Sequence, residues 1–370
     1  MTNLAATYTI GNPALYAKIL REAEHDAYRN AFRTLHAIEE DLNNRFARMA
    51  EPIHALIISA LIGEPLLYVG DPGTGKSLLI RCFCQYIGAY PLKKENTLDH
   101  PNYFEYLLTP FTEPGELFGY YEIVEEGGKR KIARDKYPIG MMQSAKVVYI
   151  DEVFNGSSAI LNSMLAFMNE RRFHDRGKFI KVNMEAMYGA TNQVPETSEL
   201  RAIYDRFFLR CVISNIEIRD VERANKSALQ ELLEKGWSES YDPAGTMKLE
   251  PVPKLLQTLK EFREDIGANT TGATLFGDPR NQGFIQELNR MIEEIRRREL
   301  SKMSNRRIVK FVNMILMHAI YDAVIQKKPK VEITQRQMSL WRFILDRRDD
   351  SLEVHLRRKY SDPDFLPYGN

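Results

Sequence analysis

The sequence predicts an α/β fold: a parallel sheet with helices on both faces, followed by a small all-helical domain. Short apolar runs such as residues 66–69 and 147–150 are typical of strands that are buried on both faces of a parallel sheet. A glycine-rich turn joins the first of these runs to a helical segment that begins near Ser77. From about Glu217 onward helical patterns dominate and no further strand of substance is expected.

Composition places the chain among ordinary globular proteins. Its 370 residues can bury one large core or two modest ones, and 44% hydrophobic and 27% charged residues are typical values. Lys and Arg number 51 against 50 Asp and Glu, a net charge of +1. No global charge therefore argues for nucleic acid or an acidic membrane as the partner.

Targeting signals and cysteines indicate a cytoplasmic protein. The N-terminal residues lack the basic start and apolar core of a signal peptide. The longest apolar stretches, residues 53–62 and 311–325, are shorter than a membrane span and contain polar residues, so no span is expected. Cys82, Cys84 and Cys211 are not spaced as a disulfide or zinc framework, which fits a reducing compartment.

The elements before the glycine-rich turn are predicted to be helical. Residues 14–49 are rich in Ala, Glu, Arg and Leu, and the pattern predicts one helix with a solvated charged face. Residues 50–61 form a second predicted helix with an apolar stripe, which leads through Gly63 into the first strand.

Residues 70–77 fit the pattern G-x-x-x-x-G-K-[ST] between a strand and a helix, the context that a phosphate-binding loop requires. Glycines allow successive N–H groups to point at a triphosphate, and the helix N-terminus adds positive charge. Lys76 is expected to reach the β- and γ-phosphates of ATP, and Ser77 to bind Mg²⁺. The predicted nucleotide-binding residues are Gly70, Asp71, Pro72, Gly73, Thr74, Gly75, Lys76, Ser77 and Leu78.

Two adjacent carboxylates follow the strand at residues 147–150. The carboxyl ends of parallel strands are where ligands bind. We expect Asp151 to hold Mg²⁺ through its water shell and Glu152 to align and deprotonate the attacking water. An acidic strand end by itself is often a helix cap or surface turn, but downstream of a phosphate loop the catalytic interpretation is favoured.

Two hairpins are predicted. Residues 119–132 contain an acidic arm and a basic arm that meet at Gly127-Gly128, which tolerate the positive φ of a tight turn. This hairpin is either an exposed element held by charge pairs or an inserted arm that contacts a partner. A second hairpin is expected at residues 173–182, with its turn near Arg176-Gly177.

The remaining elements complete the sheet and the helical domain. Residues 187–192 predict a strand that ends in Asn192, and residues 199–213 predict a short helix, a charged corner at Asp205-Arg206 and a final strand. Residues 103–109 are a further predicted strand. The other predicted segments are helices at residues 158–172, 219–235, 253–266, 281–298, 306–326 and 334–347.

This ordered set of motifs resembles an AAA+ ATPase of the MoxR family, nearest to its RavA-type branch. The resemblance covers roughly residues 45–347. The residues that carry the closer match are Asp151-Glu152-Val153-Phe154, Ser158-Ala159-Ile160-Leu161-Asn162, Asn169-Glu170-Arg171, Ala190-Thr191-Asn192-Gln193-Val194-Pro195-Glu196 and Tyr204-Asp205-Arg206-Phe207.

The resemblance implies site residues beyond the phosphate loop, which corresponds to Walker A, and the two carboxylates, which correspond to Walker B. Asn192 occupies the sensor 1 position, where an amide orients the lytic water or the γ-phosphate. Arg206 occupies the arginine-finger position and would reach into a neighbouring subunit's site; the alternative is an intrachain pair with Asp205. Arg306 occupies the sensor 2 position, with Arg307 as the alternative.

The resemblance also implies a domain plan. An N-terminal helical segment (residues 1–44) precedes the nucleotide domain (45–216), which is followed by a helical lid (217–348) and a tail (349–370). Hairpin inserts near residues 118–137 and 171–183 would face the pore or the upper face of a ring. The tyrosines of the first insert and residues 129–131 would contact whatever is remodelled.

The function implied is that of a ring-forming ATPase, expected to be a hexamer, that remodels or activates a protein partner in the manner of MoxR chaperones. Proteins with von Willebrand factor A (vWA) domains are the expected partners. The RavA-type chain continues into further domains that bind another protein, so that partner is not carried over to a chain ending at Asn370. The alternative is a nucleic-acid motor or loader lined by residues 129–131 and Arg171-Arg172; near-zero net charge disfavours it.

Overall fold

The structure, a computed structural model, describes residues 7–9, 26–91, 101–133, 140–175, 178–195, 197–216, 228–241, 246–269, 272 and 276–346. The chain divides into two compact units. The α/β unit comprises Asp41–Ser59 and Gly63–Leu256, and the helical unit comprises Met1–Glu40, Ala60–Ile62 and Gln257–Asn370.

The described strands and helices follow one another along the whole chain. The strands are β1 (Tyr8–Thr9), β2 (Leu66–Val69), β3 (Tyr103–Leu107), β4 (Glu122–Glu126), β5 (Lys129–Ala133), β6 (Val147–Asp151), β7 (Arg172–Asp175), β8 (Lys178–Lys181), β9 (Ala186–Thr191), β10 (Leu209–Val212) and β11 (Glu332–Ile333). The helices are α1 (Asp26–Arg45), α2 (Ala50–Ile62), α3 (Lys76–Tyr86), α4 (Pro114–Phe118), α5 (Ser158–Glu170), α6 (Ser198–Tyr204), α7 (Ala228–Tyr241), α8 (Leu255–Asn269), α9 (Gln282–Arg297), α10 (Asn305–Ile325) and α11 (Gln335–Met338). Two 3₁₀ segments, Pro279–Asn281 and Ser339–Ile344, complete the described helical turns.

A five-stranded sheet in the order β10-β2-β9-β6-β3 forms the centre of the α/β unit. Every neighbouring pair in it is parallel. All residues of β2 and β9 are buried, as their apolar sequences predict. The predicted α/β fold class is therefore confirmed, and the strand order places β9 directly between β2 and β6.

Side chains alternate between the two faces of this sheet. Tyr68 faces α2, where its hydroxyl donates to the carbonyl of Pro52 at 2.7 Å, and Tyr188 meets Phe83 of α3 edge-on. The opposite face packs against α5 and α6 in a core that includes Phe167. In that core a Cβ at Gly189 would come within 2.7 Å of the Phe207 ring, so this strand position requires glycine.

Both predicted hairpins are present. β4 pairs antiparallel with β5, and the turn residues Gly127 and Gly128 have φ values of 61° and 73°, as expected for a tight turn. The register places the acidic arm opposite the basic arm, with Glu125 across from Arg130. β7 pairs with β8 in the second hairpin, and its predicted turn at residues 176–177 lies outside the described residues.

The predicted helix over residues 14–49 is wrong at its end. α1 stops at Arg45, and Arg48 has a φ of 56°, a left-handed conformation that a right-handed helix does not contain. A new helix, α2, starts at Ala50. Residues 10–25 lie outside the described part of the chain.

Two later helices also differ from prediction. The described part of α7 ends at Tyr241 rather than at residue 235, and residues 217–227 lie outside the described residues. The segment predicted as one helix over residues 334–347 is the short α11 followed by the 3₁₀ segment Ser339–Ile344.

In the helical unit, the N-terminal helix packs against helices from the C-terminal half. Phe32 of α1 meets Phe262 of α8 edge-on at 4.8 Å between ring centroids, and Tyr321 of α10 at 6.0 Å. β1 pairs antiparallel with β11, and Tyr8 contacts Phe284 of α9. Sequence alone did not indicate what the N-terminal helix contacts. The predicted domain boundaries stay a prediction.

α10 is longer than the apolar stretch noted in the sequence. Its 21 residues make it, among the described helices, the one that is long and apolar enough to cross a membrane. However, 72% of its most apolar window is buried within the protein. Such burial is typical of a core helix, and length and composition alone are weak evidence for a membrane span.

Candidate nucleotide-binding site

The predicted phosphate loop leaves the sheet where β2 passes close to β10. The amide of Gly70 donates to the carbonyl of Thr191 at 3.0 Å, which ties the start of the loop to β9. A Cβ at position 70 would lie 2.0 Å from the carbonyl oxygen of Ile213. Close backbone approach therefore requires glycine here.

Two further glycines turn the loop into α3. Gly73 and Gly75 have φ values of 81° and 84°, a region that side chains other than glycine rarely occupy. Among the described residues, no atom outside the immediate neighbours lies within 4 Å of a Cβ built on Gly73, so the loop is open on that side. Thr74 closes the turn by donating its hydroxyl to the carbonyl of Asp71 at 2.9 Å. This cradle fits a phosphate chain.

Lys76, the first residue of α3, is buried to 6% exposure and reaches three acceptors. Its ammonium group donates to the carbonyls of Gly70 and Asp71, and to Oδ1 of Asn192 at 3.4 Å. Burial lowers the pKa of Lys76, and the nearby carboxylates of Asp151 and Glu152 oppose that shift. The lysine is therefore a buried cation without a directly bonded carboxylate in the described part of the chain.

Ser77 lies against the end of β6. Its hydroxyl donates to Oδ2 of Asp151 at 3.1 Å and lies 2.8 Å from the hydroxyl of Tyr149. Among the described residues there is no cluster of three or more His, Cys, Asp or Glu side chains that would enclose a metal ion. One hydroxyl and one carboxylate suit Mg²⁺, which keeps several of its waters and takes few protein ligands.

Glu152 follows β6 in an unusual conformation. Its φ of 49° lies in the left-handed region, and its amide donates to Oδ1 of Asp151 at 3.0 Å. The side-chain amide nitrogen of Asn192, Nδ2, donates to Oε1 of Glu152. Burial raises the pKa of Glu152, as does the neighbouring Asp151, whereas Lys76 lowers it. Backbone strain of this kind is common at functional sites.

The strand order brings these groups together. Asn192 follows β9, which lies between β2 and β6, so its side chain contacts both Lys76 and Glu152. Tyr149 was missed by the sequence analysis, which treated it as a strand residue. The available signal was its spacing, because residues two apart in a strand share a face, and Asp151 is two residues further on.

Arg206 is at the corner between α6 and β10. The described residues offer no hydrogen-bond partner to its buried Nε. Asp205, the predicted alternative partner, instead pairs with Arg210 at 3.4 Å. The Arg210 guanidinium lies 3.9 Å above the Tyr204 ring and donates to the carbonyl of Tyr204. Arg210 is therefore bound within its own chain, whereas no hydrogen bond joins Arg206 to the phosphate loop.

Arg306 and Arg307 belong to the helical unit and differ in their surroundings. Arg307 is 7% exposed and its guanidinium donates to the carbonyl of Ile344 at 3.2 and 3.0 Å. Arg306, at the start of α10, is exposed. Of these two sensor 2 candidates, Arg306 is the exposed one.

The alternative of a nucleic-acid motor placed Arg171 in a basic pore lining, but its guanidinium is bonded within the chain. Its guanidinium donates to the carbonyls of Met184 at 3.0 Å and Gly63 at 3.1 Å. It therefore ties the base of the second hairpin to the backbone ahead of β2.

Comparisons with known proteins identify the family of this chain. The family model described as the MoxR domain in the MoxR-vWA-beta-propeller ternary systems matches residues 33–261. The uncharacterized proteins MJ0812 and MJ0079 of Methanocaldococcus jannaschii are similar to this chain: 36% identical over 221 residues (60% of this chain, 53% of that protein) and 35% over 227 residues (61% and 54%). This chain thus spans about half the length of these relatives.

Two further similarities are more distant. The structural protein ORF618 of Acidianus two-tailed virus is 32% identical over 165 residues, which is 44% of this chain and 25% of that protein. The crystal structure of a "putative ATPase" from Cytophaga hutchinsonii covers 91% of this chain and 94% of its own, with a TM-score of 0.59 and 14% identity. At that identity it supports the fold alone. Because the matched family model spans more than half of the chain, this protein is a MoxR-type member of the AAA+ class and belongs to the family of MoxR domains of MoxR–vWA–β-propeller systems.

Proposed function

We propose that this protein is a ring-forming ATPase that uses ATP and Mg²⁺ to remodel or activate a protein partner with a vWA domain. One observation carries the catalytic part of the proposal. The side chain of Asn192 bonds both the loop lysine, Lys76, and the candidate base, Glu152. A single amide thus links the group that would hold the phosphates to the group that would activate water.

The loop residues 70–78 would hold the nucleotide. Their backbone N–H groups and the start of α3 suit the phosphate chain, and Lys76 would exchange its bonds to the loop carbonyls for bonds to phosphate oxygens. Ser77 and Asp151 would hold the metal ion. Bound Mg²⁺ supplies charge that neutralises the phosphate oxygens during transfer.

Glu152 would act as the general base. Its raised pKa makes it a better proton acceptor than an ordinary carboxylate, and the hydrogen bond from Asn192 fixes its orientation. Lys76 and Asn192 would also stabilise the charge that develops on the transferred phosphoryl group.

Ring formation rests mainly on Arg206, the candidate trans-acting arginine. Arg206 has a buried Nε without a partner among the described residues, and Arg306 is exposed. In a ring, Arg206 would complete the site of a neighbouring subunit and make hydrolysis depend on assembly. We expect a hexamer.

The partner proposal rests on the family description and on the first hairpin. The family model names vWA proteins in the same systems. Ile123 and Ile132 face each other in register and are 74% and 60% exposed, an apolar pair that suits a protein surface better than a nucleic acid. The nearer likeness to the RavA-type branch and the cytoplasmic location stay predictions.

Glu152→Gln tests the catalytic assignment. This variant should bind ATP as tightly as the wild type, while phosphate release falls by roughly 10²–10⁴-fold, the usual contribution of a general base. The control is Glu234→Gln on the exposed surface of α7, which should leave both measurements unchanged. Normal turnover in the Glu152 variant would refute its assigned role.

A mixing experiment tests the ring. Arg206→Ala and Glu152→Gln proteins should each be inactive, yet a mixture should regain part of the wild-type rate, because some interfaces then combine an intact Arg206 with an intact Glu152. Arg201→Ala, at an exposed position on α6, is the matched control and should keep its activity. If mixing restores nothing, Arg206 does not act in trans.

Partner capture separates the proposal from its rival. Glu152→Gln protein held with ATP should retain a vWA-domain protein, and alanine substitution of residues 129–131 should weaken that binding. Retention of nuclease-sensitive nucleic acid, with a steep salt dependence, would favour the motor instead.

A further inference from the structure

We propose that Tyr149 is a positioning residue that orients the hydroxyl of Ser77 and the carboxylate of Asp151 for binding Mg²⁺. The proposal rests on the proposed function, because it concerns the metal of that same site. It goes beyond it by assigning a role to a residue that lies in the middle of a buried strand.

The three side chains form a connected set. The hydroxyl of Tyr149 lies 2.8 Å from Oγ of Ser77, and Ser77 donates to Oδ2 of Asp151 at 3.1 Å. Burial raises the pKa of the Tyr149 hydroxyl, and the nearby Asp151 carboxylate also raises it. Ser77 therefore links the tyrosine hydroxyl to the carboxylate.

Hydrogen-bond capacity explains what Tyr149 adds. A hydroxyl has one proton to donate and two lone pairs, whereas an ionised carboxylate only accepts. When Ser77 donates its hydroxyl proton to Asp151, a lone pair of Oγ remains available for a cation. Without the tyrosine hydroxyl, Ser77 has one fewer group to restrict the rotation of its hydroxyl toward Asp151.

The position does not require a hydroxyl for packing. Tyr149 is fully buried in β6, where a phenylalanine ring fills nearly the same space. Burying a hydroxyl is unfavourable unless it is hydrogen-bonded. Here the hydroxyl is satisfied at the site itself, which links the core of the sheet to the two candidate metal ligands.

The neighbouring strand supplies a matched control. Tyr188 of β9 is the register partner of Tyr149 and is equally buried. Its hydroxyl makes no hydrogen bond with the described residues. Tyr149→Phe and Tyr188→Phe therefore delete the same atom from adjacent strands. Of the two hydroxyls, only that of Tyr149 contacts Ser77.

The test is equilibrium binding of a fluorescent ATP analogue to the full chain while MgCl₂ is titrated. We expect the Mg²⁺ concentration at half-maximal binding to rise by roughly three- to tenfold in Tyr149→Phe, the loss typical of one hydrogen bond to a charged set. Tyr188→Phe should match the wild type. Binding in EDTA should be equal in all three proteins, and thermal unfolding without nucleotide should confirm that both variants fold.

The outcomes distinguish the two proposals. If wild-type binding depends on Mg²⁺ but Tyr149→Phe and Tyr188→Phe share its half-point, the role of Tyr149 is refuted and the nucleotide site stands. If the wild type binds no analogue with or without Mg²⁺, the proposed function fails, and the role of Tyr149 with it.

Discussion

Two of the places where the α/β unit buries charge differ in how that charge is compensated. Arg45 at the end of α1 donates to both carboxylate oxygens of Glu239, at 3.0 and 2.6 Å, and to the hydroxyl of Tyr86 at 2.8 Å. Thr246 adds a further hydrogen bond to Glu239. Although burial lowers the pKa of Arg45, its bonds to Glu239 and Tyr86 raise it overall.

The phosphate loop holds its charges differently. The ammonium of Lys76 meets uncharged carbonyl and amide oxygens, and burial lowers its pKa. Glu152 accepts from an amide, and burial raises its pKa. Both shifts disfavour the charged form, whereas the Arg45 cluster favours it. We infer that the Arg45–Glu239 pair stabilises the fold, whereas Lys76 and Glu152 are arranged to meet a ligand.

Arg45→Ala should have the largest effect on stability. Removal of one partner leaves Glu239 buried without its cation, a change that costs about 3–5 kcal/mol in other proteins. Denaturant unfolding measures the free energy directly. Lys260→Ala, which breaks an exposed pair with Glu264, is the control and should cost under ~1 kcal/mol. Equal losses of unfolding free energy in the two variants would show that the buried Arg45–Glu239 pair stabilises the fold no more than an exposed pair does.

Lys76→Met should show the opposite behaviour. Loss of charged hydrogen bonds to phosphate should weaken nucleotide binding by roughly 10- to 100-fold. The nucleotide-free protein should keep its stability within about 1 kcal/mol, because the charged lysine is disfavoured by burial there. Binding titrations and denaturant unfolding check the two parts. Strong destabilisation would show that Lys76 holds the fold as Arg45 does.

The acid limb of the pH dependence of kcat/KM should change less than these quantities, but it reports on Glu152 directly. Glu152 must be deprotonated to act as a base, so kcat/KM should fall as pH drops through its raised pKa, above the ordinary carboxyl value of 4.5. An acid limb at or below that value would contradict the assignment.

The same shift affects stability in a defined direction. A carboxyl with a raised pKa binds more protons in the folded than in the unfolded state, so the free energy of unfolding falls as pH rises from 4.5 through the raised pKa. Unfolding measured across this window should lose that slope in Glu152→Gln, with Glu234→Gln retaining it.

Local patterns determined much of this protein. The phosphate loop, the strand before Asp151 and the hairpin turn at Gly127-Gly128 follow from rules that act over a few residues: glycine at positive φ, apolar runs in buried strands, and a strand-to-helix turn. These features were predictable because their physical causes lie within the segment itself.

Strand order and burial were decided by the tertiary structure. No local pattern states that β9 lies between β2 and β6, yet that order is what brings Asn192 to Lys76 and Glu152. Likewise, nothing in the sequence distinguishes Arg307, which binds a carbonyl 37 residues away, from the exposed Arg306. Nor does it reveal that the hydroxyl of Tyr149 reaches Ser77. These contacts join residues far apart in the chain, and their energies depend on which surfaces the whole fold removes from water.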